Sequence, residues 1–126
     1  MTKWAVGIDI EELDKVRKAI SSKRFVLRTF TRKEIEYAKS KGNLIAHYAG
    51  TFAAKEAVFK AVNQIISEKI DLVHLEILRN RSGVPHVRFN ESLRRKAKNL
   101  ETKVSISHSG SYALAIAFAK QNQEQA

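Results

Sequence analysis

An alternation of large and small side chains over residues 112–119 places the tightest constraint on the fold of this chain. The large residues are Tyr112, Leu114, Ile116 and Phe118, and the small ones are Ala113, Ala115, Ala117 and Ala119. Successive side chains of a strand point to opposite faces, so the pattern predicts a β-strand with one face made only of alanine. Such a face lets a helix lie close, and the alanine-rich segment 53–61 is the expected occupant.

Two further segments are expected to be strands. Residues 3–10 alternate between large apolar side chains and small ones, with Asp9 on the side of the small residues. Residues 104–108 alternate as well, and Ser109 with Gly110 is the expected hairpin turn into the strand that follows. Small neighbours around Asp9 leave room for a backbone segment or a ligand to approach this carboxylate.

The remaining chain is expected to be largely helical. Helices are predicted over residues 11–22, 31–39, 45–66 and 91–100. In "TRKE", Glu34 stands three positions after Thr31, which is a capping-box pattern. Two more strands are predicted over 71–80 and 86–90.

The order β-α-α-α-β-β-α-β-β predicts an α+β domain with a mostly antiparallel sheet packed on a long helix. Residues 1–120 are expected to form this single domain, and 121–126 a polar tail.

The net charge of the chain narrows the class of partner. Lys and Arg exceed Asp and Glu by 10, and this net charge of +10 favours polyanionic partners such as nucleic acid, phosphorylated cofactors or an acidic protein.

Cysteine is absent, which excludes disulfides and thiolate metal sites. No run reaches the ~18–20 apolar residues of a membrane span. Met1 is not followed by a signal-peptide pattern, so the cytoplasm is the expected location.

Three polar residues interrupt the otherwise apolar long helix. Glu56, Lys60 and Asn63 fall on one narrow stripe of it. A carboxylate there needs a cation, which is either Lys60 in an i,i+4 pair or a metal ion. Asp9 and Glu56 from separate elements are ligands of the kind that Mg²⁺ prefers, and no histidine pair has the spacing for zinc. Alternatively, Asp9 caps a helix and His108 is a hydrogen-bonded turn residue.

Four segments, taken in order, resemble the holo-[acyl-carrier-protein] synthase family of short bacterial 4'-phosphopantetheinyl transferases. They are GIDIEEL (7–13), FAAKEAVFKA (52–61), SGVPHV (82–87) and SISHSGSYALA (105–115). The resemblance implies transfer of 4'-phosphopantetheine from coenzyme A to a serine of apo-acyl carrier protein, with release of adenosine 3',5'-bisphosphate. It also implies this family's fold and a homotrimer whose active sites lie between subunits.

The resemblance assigns expected roles to individual residues. The implied catalytic residues are Asp9, Glu56, Lys60 and His108. Of these, Asp9 and Glu56 match the family's Mg²⁺ ligands. The residues expected to bind coenzyme A are Lys55, Lys60, Ser107 and His108. The group that accepts the serine proton stays open among Glu56, Asp9 and a metal-bound water.

The positive charge is expected to serve carrier-protein binding, since acyl carrier proteins are acidic around the modified serine. The resemblance places Lys15 at a basic contact position, and Lys18, Arg24 and Arg28 extend the surface. Association through such residues should weaken as salt rises.

Two positions depart from the family pattern. Thr51 stands where an arginine usually precedes the KEA motif, and residues 63–70 replace a Gly-Thr-Gly-like loop. Both positions lie near coenzyme A in the family, so the alternative function is a catalytically impaired relative that binds carrier protein or coenzyme A without turnover. A basic nucleic-acid-binding domain is a further class, which no helix-turn-helix or RNP-type motif supports.

Overall fold

A computed structural model describes residues 1–122 of the 126-residue chain. Its elements are, in order, β1 (Thr2–Glu12), α1 (Leu13–Ala19), α2 (Lys23–Thr29), α3 (Arg32–Ser40), α4 (Leu44–Val62), β2 (Leu75–Arg79), β3 (Pro85–Phe89), α5 (Glu91–Lys96), β4 (Leu100–Ser109) and β5 (Tyr112–Asn122), with a 3₁₀ turn (Leu72–His74) before β2. The strands form an antiparallel sheet in the order β1-β5-β4 and an antiparallel β2–β3 hairpin. The predicted α+β class with antiparallel sheets is confirmed.

Helix α4 lies directly on the alanine face of the three-stranded sheet. The β5 alanines, from Ala113 to Ala119, are at most 1% exposed, and Ala53 and Ala57 of α4 are fully buried against the sheet side of the core. Because both surfaces carry small side chains, helix and sheet approach more closely than larger residues would allow. Gly7 of β1 marks the closest approach, since a Cβ built there would lie 2.0 Å from the carbonyl oxygen of Ala57.

Replacing Gly7 with alanine is therefore expected to destabilise the fold by about 1–3 kcal/mol, as overpacking does elsewhere. The obstructing atom belongs to helix backbone, so the helix must shift away from β1 as a unit. Gly42→Ala is the matched control, because no atom lies within 4 Å of a Cβ at that position. The measurement is the free energy of unfolding in urea. Equal stability of the two variants would contradict the close packing of β1 on α4.

The large apolar residues of the same strands lie on the opposite side of the sheet and are exposed. Trp4, Ile8 and Ile10 are 69%, 57% and 60% exposed. We call this surface the outer sheet face, and its members are Trp4, Val6, Ile8, Ile10, Tyr112, Leu114, Ile116 and Phe118. A contiguous apolar surface of this kind on a folded chain marks an interaction site.

Several predicted boundaries are wrong. Helix α2 was not predicted; it begins after Ser22, whose side chain accepts a hydrogen bond from the backbone of Phe25. The first helix begins only at Leu13, because β1 continues to Glu12 in register with β5. Helix α4 ends at Val62 rather than near 66.

The hairpin turn and the C-terminal boundary also differ from the prediction. Ser109 pairs with Tyr112, so the two turn residues are Gly110 and Ser111. Gly110 has a φ of 57°, and a glycine in this position suits the tight turns that join antiparallel strands. Strand β5 runs through Asn122, which places the first two residues of the predicted tail in the sheet. Residues 123–126 lie outside the described residues.

In the described part of the chain, no helix combines the length and the apolar character that crossing a bilayer requires.

Candidate functional site

Asp9 and Lys60 meet where strand β1 crosses helix α4. Asp9 lies on the face of β1 that is turned toward α4, and Lys60 Nζ is 3.3 Å from Asp9 Oδ1. The same ammonium donates to the carbonyl of Ile8 at 3.0 Å. One turn later, Gln64 donates to the carbonyl of Val6 at 2.8 Å. Because β1 is at the edge of its sheet, Lys60 of α4 and Gln64 just after the helix supply donors for its outer carbonyls and fix Lys60 beside Asp9.

Carboxylates outnumber cations at this crossing. Burial, reinforced by the charge of Asp9, raises the pKa of Glu56, and Lys60 offsets the effect only in part. Burial and then the adjacent Asp9 and Glu56 raise the pKa of Glu11 to about 8. Asp9 Oδ2 is itself buried without a hydrogen-bond partner. The cluster therefore holds surplus negative charge, which a further cation would neutralise.

The donor set suits a hard divalent cation. Within residues 1–122, no three His, Asp or Glu side chains are grouped closely enough to hold a metal by themselves. Mg²⁺ is commonly bound by one or two carboxylates and completes its shell with water and substrate phosphate oxygens. The unpartnered Asp9 Oδ2 and the neighbouring Glu56 fit that requirement.

Glu11 is the functional candidate that the sequence interpretation missed. A helix starting at residue 11 would have placed it in a first turn, where acidic residues are common. In the structure it lies in β1, two residues after Asp9 and on the same face. The alternation of residues 3–10 continues through Glu11, and extending that pattern by one residue is the signal that identifies it.

His108 and Ser107 are not part of the Asp9 cluster within one chain. The exposed His108 ring places Nε2 3.1 Å from the carbonyl oxygen of Ala46, above Gly50 of α4. His108 pairs with Ala113, which in turn pairs with Glu11, so two strand spacings, roughly 10 Å, separate β4 from β1. Ser107 is exposed and pairs with Leu114, a member of the outer sheet face.

Lys55 has no exposed surface in this structure, and its contact with coenzyme A stays a prediction. Its Nζ lies 2.6 Å from Glu34 Oε1 and donates to the carbonyl of Leu75, also at 2.6 Å. The same carboxylate accepts from the backbone N–H groups of Thr31 and Ile77, each at 2.8 Å. Lys55 is a structural residue that joins α3, α4 and β2.

A hollow opens beside Glu56 between α2, α4 and the 3₁₀ turn. We call it the Glu56 hollow; it measures about 320 Å³ and is lined by Phe25, Arg28, Phe52 and Leu72. The four predicted partner-binding residues are all exposed on α1 and α2: Lys15, Lys18, Arg24 and Arg28. Arg28 thus belongs both to that basic surface and to the lining of the Glu56 hollow.

A second basic cluster surrounds Tyr37 near the start of α4. Lys41 Nζ lies 5.1 Å and Arg79 Cζ 5.5 Å from the centre of the Tyr37 ring, and the His47 ring packs edge-on against it. Arg79 Nε and Nη2 are buried without hydrogen-bond partners. Burial lowers the pKa of His47, as do the charges of Arg79, His108 and Lys41. The sequence offered no local signal for this cluster, because its members come from three separate elements.

Residues 5–117 match the model of the 4'-phosphopantetheinyl transferase superfamily, and the chain belongs to that superfamily. Among curated proteins, it is 41% identical over 116 residues to the holo-[acyl-carrier-protein] synthase of Fusobacterium nucleatum, with 89% of this chain and 94% of the relative covered. It is also 36% identical over 121 residues to the fatty acid synthase subunit alpha of Candida parapsilosis, covering 91% of this chain and 6% of that protein.

Two solved structures share the fold over nearly their whole length. The Bacillus anthracis holo-(acyl-carrier-protein) synthase in complex with CoA (3',5'-ADP) is 32% identical, with a TM-score of 0.77 and coverage of 94% of this chain and 96% of that one. The ACPS-CoA complex from Chronobacterium ammoniagenes is 26% identical, with a TM-score of 0.85 and coverage of 96% and 99%.

Proposed function

We propose that residues 1–120 form one enzyme domain that transfers 4'-phosphopantetheine from coenzyme A to a serine hydroxyl of apo-acyl carrier protein. The observation that carries this proposal is the Asp9, Glu56 and Lys60 cluster, which lies in two of the segments that resemble the family and holds more carboxylates than cations. The serine hydroxyl gives up its proton to a base at the site, and its oxygen forms a bond to the phosphorus next to pantetheine. The bond from that phosphorus to the bridging oxygen breaks, and adenosine 3',5'-bisphosphate leaves.

The residues at the crossing of β1 and α4 have separate tasks in this reaction. Asp9 and Glu56 would hold Mg²⁺, which when bound supplies positive charge to the pyrophosphate as its bond breaks. Lys60 is half exposed and anchored to β1, so its ammonium can contact a phosphate oxygen while remaining beside Asp9. Glu11 adds a third carboxylate two residues after Asp9 on the same face of β1.

The complete site is proposed to require a homotrimer. The outer sheet face exposes eight large apolar residues, which a second copy would cover. His108 and Ser107 lie away from Asp9 in one chain, so assembly offers the route by which they reach the coenzyme A bound by a neighbouring subunit. The Lys41 and Arg79 cations beside Tyr37 then contact nucleotide phosphates in place of the arginine that Thr51 replaces.

The protein substrate is proposed to be an acidic acyl carrier protein in the cytoplasm. Lys15, Lys18, Arg24 and Arg28 are exposed on consecutive helices, and Arg28 borders the Glu56 hollow. Positive charge at this entrance would speed association with an acidic partner and lose its effect as salt screens it.

The decisive experiment is intact-mass spectrometry of a purified apo-acyl carrier protein after incubation with this protein, coenzyme A and Mg²⁺. We expect a mass gain of one phosphopantetheine, abolished by EDTA and restored by excess Mg²⁺. A catalytically impaired relative is the alternative, favoured by the buried Thr51 in place of arginine. It would show calorimetric binding of coenzyme A or carrier protein with no mass gain, and that result would overturn the transferase proposal.

A further inference from the structure

Gly50 is a buried residue of α4 that lies against the end of strand β4. A Cβ built at this position would be 3.1 Å from both Cε1 and Nε2 of the His108 ring and 3.2 Å from Cγ2 of Ile106. Carbon atoms in ordinary contact are about 3.5–4.0 Å apart, so a side chain at residue 50 would press on both β4 residues. The glycine therefore lets β4 and its histidine rest directly on the helix.

Of the two β4 side chains, His108 is the one that is free to move. Ile106 is half-buried and packs against the main core cluster, which holds it in place. His108 is exposed, so an alanine at residue 50 would displace its ring outward by about half an ångström to regain normal contact. The bond from Nε2 to the carbonyl oxygen of Ala46 is 3.1 Å long and has little length to spare before it is lost.

The contact with Ala46 decides which nitrogen of His108 carries a proton. A backbone carbonyl oxygen only accepts, so Nε2 has to be the donor in this bond. Nδ1 is then the nitrogen that remains for a ligand: it accepts a hydrogen bond when the imidazole is neutral and donates one when the imidazole is protonated. A ring released from this carbonyl would populate both neutral tautomers.

The surroundings of the His108 ring are positively charged. Burial is the main cause that lowers the pKa of His47, and the charges of Arg79, His108 and Lys41 add to it, so these groups lie close together. An imidazole held in one orientation within such a cluster suits the recognition of an anionic ligand.

We propose that Gly50 is a positioning residue for His108. Because residue 50 has no side chain, the imidazole is seated against α4 as the Nε2–H tautomer, and Nδ1 is the nitrogen presented to coenzyme A. The presentation of Nδ1 to coenzyme A rests on the proposed transferase function, whereas the tautomer and its dependence on Gly50 are properties of the chain alone.

The first test is NMR of the chain labelled with ¹⁵N at histidine, because long-range correlations within each imidazole report which nitrogen is protonated. At a pH where His108 is neutral, the unmodified chain should show the Nε2–H tautomer, and Gly50→Ala should show a mixture of both tautomers. Alanine favours a helix more than glycine does, so α4 should stay intact. Gly42→Ala is the matched control, since a Cβ there meets no atom within 4 Å.

Two results of this experiment would overturn the proposal. One is a mixture of tautomers for His108 in the unmodified chain, which is measured whether or not Gly50→Ala folds. The other is an unchanged His108 signal in a folded Gly50→Ala variant. His86, which is exposed on β3, is the internal reference and should give the same signals in every variant.

The second test is a double-mutant cycle of Gly50→Ala and His108→Ala, with KM for coenzyme A as the readout. We expect Gly50→Ala alone to raise this KM about tenfold, the loss expected for one hydrogen bond to a charged group, and to leave KM for the carrier protein unchanged. In the His108→Ala background the same substitution should have no further effect, since no ring remains to be displaced. Equal increases with and without the histidine would contradict a role through His108.

The two tests separate this inference from the transferase proposal. If the unmodified chain shows no transfer, the dissociation constant of coenzyme A from calorimetry replaces KM in the same cycle. A non-additive cycle then supports the role of Gly50, and an additive one overturns it. If the unmodified chain does not bind coenzyme A at all, the assignment of Nδ1 to this ligand is wrong, and NMR still decides whether Gly50 fixes the tautomer of His108.

Discussion

Glu56→Gln is expected to lower the rate of phosphopantetheine transfer by about 10²–10³-fold, the loss seen when one preorganised electrostatic group is removed from an active site. Glutamine keeps the size of the side chain but cannot hold a cation through two charged oxygens. The Glu56 side chain is only partly buried and borders the Glu56 hollow, so the amide should not disturb the fold. Its pKa, raised by burial and by Asp9, indicates a carboxylate that is poorly stabilised until a cation arrives.

The measurement is kcat with saturating coenzyme A and carrier protein across a Mg²⁺ titration, with a thermal melt to confirm folding. The control is Glu36→Gln, which removes the same charge from an exposed ion pair with Arg32 at 3.1 Å. That variant should keep full activity. Asp9→Asn should resemble Glu56→Gln and additionally release Lys60, which the Asp9 carboxylate contacts. Unchanged rate and unchanged Mg²⁺ dependence in Glu56→Gln would remove Glu56 from the proposed metal site.

The fold was predictable where side-chain size fixes which surfaces can meet. Alternation in residues 112–119 predicts an alanine face, and the alanines of α4 do pack there. That contact brings Asp9 and Lys60 together although they are 51 residues apart. Alternation states which residues share a face but does not state what covers each face. The exposure of Trp4 and Ile10 on the outer sheet face therefore had no signature in the pattern.

Other features depended on partners distant in the sequence. Lys55 and Glu56 are adjacent, yet helical geometry sends Lys55 into the interior and leaves Glu56 at the site. The local sequence around these two residues does not distinguish their roles, because Lys55 is held in the interior by Glu34, which lies 21 residues earlier. The contact between Arg79 and Tyr37 could not be predicted from the sequence for the same reason, because it forms only when β2 packs beside α3.

Glu34→Ala is expected to destabilise the chain by about 3–5 kcal/mol, the usual result of leaving one member of a buried ion pair without its partner. Glu34 and Lys55 side chains are 1% and 0% exposed, so water cannot replace the lost contact. The variant also removes the acceptor for the backbone N–H groups of Thr31 and Ile77, which ties α3 to β2. Unfolding in urea, with the midpoint and slope both recorded, measures the loss.

Two comparisons make this result specific to the buried pair. Glu68→Ala breaks the exposed pair with Lys96 and should cost about 0–1 kcal/mol. The double variant Glu34→Leu with Lys55→Met should recover part of the loss, because apolar groups of similar volume remove the stranded charge. If Glu34→Ala costs no more than Glu68→Ala, the pair does not stabilise the fold. If Glu34→Ala does cost more, the transferase activity per folded molecule of this variant should then be measured. Full activity would show that the Glu34–Lys55 pair stabilises the fold without positioning the adjacent Glu56.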